Sequence, residues 1–182
     1  MPSFRLQRDQ AALLVVDIQE RLCAAMEPGA LERMLQRTNA ALQGARALEL
    51  PLLVTEQYPK GLGRTDARLS AHLGAYTPVE KLMFSACVPE VVAALGARTQ
   101  VLIVGMETHV CVYQTVRDLA ERGLTPVLCA DAVLSRHPED RRVGLEMCRD
   151  AGARVLTVEA ALFDLLGVAG TPEFKKVSAA VR

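Results

Sequence analysis

The 182-residue sequence predicts an α/β fold, a three-layer α/β/α sandwich around a parallel sheet. Three observations predict it. Short apolar runs alternate with longer stretches of helical spacing along the whole chain. The runs lack the apolar–polar alternation of a half-solvated strand, which suits strands buried on both faces. Prolines open several of the helical stretches and glycines close them.

Taken in order, the apolar runs are 11–16, 52–55, a weaker one at 79–84, then 101–104, 125–130 and 153–158, each rich in Val, Leu or Ile. Candidate helices occupy 31–49, 89–97, 109–122, 138–151 and 159–166, and 56–77 reads as loop with one short helix. Pro89 and Pro138 fit first helical positions, while Gly123 and Gly152 fall just beyond helix ends. Parallel βαβ units of this kind carry right-handed crossovers. Without a linker, repeat or low-complexity segment, residues 1–182 read as a single domain.

Composition narrows the function. The chain is 51% hydrophobic and 23% charged, with mean hydropathy +0.18, enough apolar material for a sizeable core. Lys+Arg 21 balance Asp+Glu 21, so no phosphate-neutralising excess points to nucleic acid. The opening MPSFRLQRDQ lacks the apolar region of a secretory signal, and no apolar run approaches the roughly 18 residues of a membrane span. The expectation is a cytoplasmic protein with no membrane partner. Five cysteines (23, 87, 111, 129, 148) without CxxC spacing suggest neither a disulfide framework nor a zinc site.

In doubly wound folds ligands sit beyond the carboxyl ends of the strands, where the strand order reverses. Those ends are polar here: LLVVD at Asp17, LLVTEQ at Glu56 and Gln57, VEK at Lys81, VLIVG followed by METHVC, and VLCAD at Asp131. Cys111 would stand in the first turn of the helix after the fourth strand, where free N–H groups and a neighbouring lysine favour a thiolate. It reads as a nucleophile that ionises more easily than usual, or as an ordinary buried cysteine. Asp17 reads as a general base for that thiol, or as a turn cap. Only four of the 21 basic residues are lysines (60, 81, 175, 176), and Lys81 either holds thiolate and carboxylate by charge or projects into solvent. Gln19, Glu56, Gln57 and Tyr58 are candidates to line the crevice and select substrate. His109, two residues before Cys111, is not expected to touch it, because adjacent helical positions point apart.

Asp17, then Lys81, then GMETHVCVYQT at 105–115, then ADAVLSR at 130–136, together resemble the isochorismatase-like cysteine hydrolase superfamily. The match spans roughly residues 11–166. TEQYPKGLG at 55–63 and TPEFKKV at 171–177 look most like the isochorismatase domain-containing subgroup. The resemblance implies a six-stranded parallel sheet of order 3-2-1-4-5-6, with Asp17 and Cys111 flanking the switch point. It implies that Cys111 attacks a carbonyl or related carbon, that Asp17 carries the proton to the leaving nitrogen, and that Lys81 assists electrostatically. It also implies a cis peptide at Met106–Glu107 and an oxyanion hole from the backbone N–H groups of Glu107 and Cys111.

Where the superfamily's nicotinamidases carry an Asp-x-His metal site, this chain has Thr55–Glu56–Gln57–Tyr58, so neither metal nor organic cofactor is expected. True isochorismatases, which cleave a vinyl ether with an aspartate, generally lack the cysteine present here as Cys111. The resulting expectation is a cysteine-dependent hydrolase of a small amide-like or carbamoyl C–N bond, acting on a small molecule and self-associating as a homo-oligomer. Two alternatives stand beside it. One is a vinyl ether hydrolase led by Asp17, the other a non-catalytic oligomeric binding protein, for which Cys111 would titrate near the ordinary ~8.5.

Overall fold

The computed structural model describes residues 4–182; residues 1–3, the start of the segment read for a signal sequence, lie outside the described residues. Six strands form one parallel sheet: β1 (Ala11–Val16), β2 (Leu52–Gln57), β3 (Val79–Lys81), β4 (Gln100–Met106), β5 (Thr125–Leu134) and β6 (Arg154–Leu156). Their order is β3-β2-β1-β4-β5-β6, the doubly wound arrangement, and the order reverses between β1 and β4. All six residues of β1 and all seven of β4 are buried, as the unbroken apolar runs require of central strands.

The helices are α1 (Glu20–Ala24), α2 (Pro28–Ala47), α3 (Pro59–Leu62), α4 (Ala67–Leu73), α5 (Pro89–Leu95), α6 (Tyr113–Glu121), α7 (Pro138–Asp150), α8 (Val158–Leu166) and α9 (Pro172–Ala180), with a π-helical turn at Thr108–Val112 ahead of α6. Proline stands in the first turn of α2, α5, α7 and α9, where its missing N–H costs nothing. Each face of the sheet carries its own core. Leu13, Val15, Leu102 and Val104 pack with α2, α8 and α9, whereas Leu14, Val16, Val101 and Ile103 pack with α5, α6 and α7.

Several boundaries differ from the sequence expectation, each for a physical reason. The run 79–84 ends as a strand at Lys81, because the chain beyond turns to offer its carbonyls to that lysine's ammonium. The fifth strand continues past Ala130 to Leu134 through an irregularity in its pairing with β4, so Asp131 interrupts the apolar run without ending the strand. Segment 56–77 holds two short helices rather than one. The helix expected at 109–122 begins as a π turn, and Cys111 lies in that turn rather than in regular α-helix. Among the described residues no helix is long and apolar enough to cross a membrane.

Candidate active site

Four adjacent strands, β3, β2, β1 and β4, bring the site together. Val16 at the end of β1 pairs with Thr55 on one side and Gly105 on the other, so the residue after it, Asp17, enters the switch point. Gly105 is required there: a Cβ at this position would lie 2.0 Å from the Val16 carbonyl oxygen, and its φ of 132° disfavours any side chain. β3 adds Lys81, in register with Gln57 of β2.

Asp17 leaves the strand with φ 50°, a left-handed conformation that Asp tolerates better than most residues. Its carboxylate is fully buried. Oδ1 accepts the Thr55 hydroxyl at 2.7 Å, and Oδ2 accepts Lys81 Nζ at 2.6 Å. The Lys81 ammonium also lies 2.9 Å from Gln57 Oε1, 2.9 Å from the Phe84 carbonyl and 3.2 Å from that of Met83. A buried ion pair offsets its desolvation only when its remaining protons find acceptors, and here four acceptors surround three protons. The solvent-projecting reading of Lys81 is therefore wrong, since its side chain is 1% exposed.

Cys111 completes the group: its buried thiol and the Asp17 carboxylate interact electrostatically, each altering the other's proton affinity. The Cys111 carbonyl accepts the Thr115 hydroxyl at 2.6 Å, and the same hydroxyl oxygen accepts the Ala86 N–H at 2.8 Å. That pair of bonds stitches the nucleophile turn to the segment after Lys81. Burial raises the Asp17 carboxyl above its ordinary value, with Lys81 and Thr55 opposing. Burial also pushes the Cys111 thiol up to about 12, reinforced by Asp17 and only partly opposed by Lys81. The expectation of an easily ionised thiol is thereby corrected. The helix end and the lysine favour a thiolate, but lost hydration and an adjacent carboxylate outweigh them.

The remaining candidates fall into different roles. Gln57 belongs to the cluster, its Oε1 on Lys81 and its Nε2 donating to the Leu82 carbonyl at 2.9 Å. Gln19 is fully buried, donating to the carbonyls of Gln57 and Gly63 at 3.0 and 2.8 Å and accepting the Gln57 N–H at 2.7 Å. Glu56 holds the N–H and hydroxyl of Thr65 at 2.7 and 2.8 Å and pairs with Arg64 at 3.1 Å. Both side chains therefore fasten the chain between β2 and α4 from within. Tyr58 is half exposed and, with Lys60 and Leu82, lines a surface pocket of about 380 Å³ against Lys81.

The Met106–Glu107 peptide is cis. The Glu107 carbonyl accepts the N–H groups of Val110 and Val112 at 3.1 and 3.2 Å, and its carboxylate accepts both the backbone N–H and Nε of Arg136 at 3.1 and 3.0 Å. His109 turns to Ser135, with Nδ1 3.1 Å from Oγ, and its Nε2 lies 3.8 Å from Asp140. Arg136, Asp140 and Arg141 do not form one charged cluster. They engage Glu107, His109 and the β5 carbonyls respectively. The other four cysteines are free and buried, and burial raises each thiol.

Sequence reasoning missed Thr55, Thr115 and Ser135. Each is an ordinary hydroxyl residue at or just after a strand or turn, and although all three fall inside the quoted segments, nothing in their spacing marks them out. Among the described residues no group of three or more His, Cys, Asp or Glu side chains is placed to hold a metal ion.

Fold and site together define a doubly wound α/β protein with an aspartate, a lysine and a cysteine converging at its switch point. The chain belongs to the isochorismatase domain family, whose model matches residues 11–160, and it carries that family's hydrolase fold. It is 38% identical to isochorismatase domain-containing protein 2 of Bos taurus over 98% of this chain and 86% of that protein. It is 37% identical to the secreted isochorismatase effector Isc1 of Phytophthora sojae, covering 98% and 87%. Among solved structures, the MAR1 ribonuclease of Caenorhabditis elegans superposes with a TM-score of 0.91 at 38% identity, covering 97% of this chain and 92% of that one.

Proposed function

We propose that the protein is a cysteine-dependent hydrolase of a small amide-like or carbamoyl C–N bond. The observation that carries this reading is a buried cysteine thiol coupled to a buried carboxylate that is itself paired with a lysine at 2.6 Å. The resting state is thiol, carboxylate and ammonium. As Cys111 Sγ bonds to the substrate carbon, its proton passes to Asp17, whose raised affinity for protons makes it a competent acceptor. Lys81 then neutralises the charge that remains. The backbone N–H groups of Glu107 and Cys111 are the proposed oxyanion donors, each worth about 2.7–4 kcal/mol in comparable sites. The bonds from Val110 and Val112 to the Glu107 carbonyl bypass the Cys111 N–H, which supports that role.

Collapse of the tetrahedral species breaks the C–N bond, and Asp17 gives its proton to the leaving nitrogen. A thioester-type intermediate remains on Cys111. Water attacks it, Asp17 takes the water's proton, and cleavage of the C–S bond returns the proton to sulfur. No step needs a cofactor. The balanced charge of the chain supports a small molecule over RNA.

The test is a panel of small amides and carbamoyl compounds with acid quench and intact mass spectrometry. Turnover with an adduct on Cys111, both lost in Cys111→Ala, is the expected result. Turnover that survives the substitution sinks the nucleophile assignment. A second reading, vinyl ether hydrolysis led by Asp17, is favoured by the raised carboxyl, which suits it to protonate an enol carbon. Release of pyruvate from isochorismate, undiminished in Cys111→Ala, is its distinguishing result.

A further inference from the structure

A second groove, separate from the Asp17–Lys81–Cys111 cluster, opens between the first half of α2 and the end of β5. It encloses about 580 Å³, within the roughly 300–1,000 Å³ typical of small-molecule sites. Its floor is apolar, from Met34, Val133 and Leu134. Its rim carries Arg33, Arg37, Arg136 and Arg141 against only Glu27 and Asp131.

The two acids are already engaged. Glu27 caps α2 by accepting the N–H groups of Gly29 and Ala30 at 2.8 and 2.5 Å, and Asp131 accepts the Val158 N–H at 2.8 Å. Arg141 is committed to the carbonyls of Val133 and Ala130. The other three guanidinium groups keep N–H donors in hand. Arg37 spends one nitrogen on the Val181 carbonyl at 3.1 Å and stands 3.8 Å from Asp131, Arg136 spends its Nε on Glu107, and Arg33 stands beside Glu27. Planar guanidinium donors above an apolar floor suit a ligand with an anionic head and an apolar body.

The groove also adjoins the nucleophile turn. Ser135, on its wall, accepts the Thr108 N–H at 3.1 Å and contacts His109 at 3.1 Å. Arg136 holds Glu107, the residue that precedes the turn. On the far side α7 presses against the same turn, where a Cβ at Gly144 would lie 2.8 Å from the His109 nitrogen, so the turn has little room to move independently.

We propose that this groove binds a small amphipathic anion, an apolar body bearing a carboxylate or phosphate, and that its occupancy reaches Cys111 through Ser135 and Arg136. Neither part rests on the hydrolase reading, because binding and thiol accessibility are measured without turnover. The enclosed volume fits one such molecule rather than a polymer.

Phenyl phosphate is the probe, titrated calorimetrically into the full chain, with inorganic phosphate as the comparison. The expected result is saturable one-to-one binding, weaker for inorganic phosphate, and weakened at least tenfold in Arg33→Gln/Arg37→Gln. Ala30→Phe, which fills the groove without removing a charge, abolishes it and serves if the double variant fails to fold. Cys111→Ala binds as the parent does. Saturation is expected to change the iodoacetamide labelling rate of Cys111 more than twofold in the parent but not in Ala30→Phe. Absence of saturable binding, binding that survives Ala30→Phe, or binding lost in Cys111→Ala overturns the site. Unchanged labelling at saturation overturns the link to Cys111.

Discussion

Two halves of one sheet edge treat charge in opposite ways. At the ends of β1, β2 and β3, Asp17, Gln57 and Lys81 are buried and spend their polar atoms on one another. At the ends of β4 and β5, Arg136 and Asp140 are exposed by half or nearly so; Arg136 reaches inward to the buried Glu107 carboxylate, and Asp140 lies 3.8 Å from His109. A buried pair is enforced, because breaking it strands a charge away from water. A pair with one half-exposed partner is partly screened and more readily exchanged. The first arrangement suits a fixed proton-transfer site, the second a surface that can meet a ligand.

The sharpest way to break the comparison is chemical. On the proposed mechanism Cys111→Ala should lower turnover by about 10⁴–10⁶-fold, as loss of a nucleophile does elsewhere, with circular dichroism unchanged. Next comes Lys81→Met, which leaves Asp17 buried without its partner. It should cost about 3–5 kcal/mol in denaturant unfolding, and loss of less than 1 kcal/mol would show that the site is wetter than its burial indicates. Arg136→Gln, which takes one partner from the buried Glu107 carboxylate but leaves the backbone N–H bond, should cost less, about 1–3 kcal/mol in the same assay. The smallest effect is expected for His109→Gln, whose ring bonds Ser135 and not Cys111, with turnover within about threefold of the parent.

pH sharpens the same contrast. The thiols of Cys23, Cys111 and Cys148 are each pushed from 9.0 up to about 12, chiefly by burial. A raised value means that the folded state holds the proton more tightly than the unfolded chain. The associated stability is complete below pH 9 and is lost as the pH climbs toward 12. Thermal unfolding followed between pH 7 and 11 should show the midpoint falling only above about 9. Iodoacetamide should label Cys111 slowly at neutral pH and faster as the pH rises. The acid limb of kcat/KM should lie above the ordinary carboxylate range, because Asp17 must be ionised to act as base and burial raises its value.

Much of the fold was legible because parallel central strands are apolar on both faces. The run 11–16 coincides with β1, and Pro89 and Pro138 open α5 and α7 where the sequence places them. Short elements were not. α1 has five residues and no side-chain cap, and α9, with its mixed PEFKKVSAA, shows no clear apolar period. The irregularity in β5 was hidden because Asp131 looks like a terminator until its carboxylate is seen accepting the Val158 N–H.

By itself the sequence determined the layer architecture and, through the order of Asp17, Lys81 and Cys111, the family and the three side chains of interest. Only the tertiary structure decided what surrounds them. Thr55 and Gln57 reach Asp17 and Lys81 from a neighbouring strand, the carbonyls of Met83 and Phe84 capture the ammonium, and burial pushes the Cys111 thiol up where the helix end and lysine alone would bring it down. The physical reason is that charge state depends on hydration and on partners brought together from distant parts of the chain. Spacing along the sequence encodes strand and helix, but it does not encode how much water a side chain keeps once they pack.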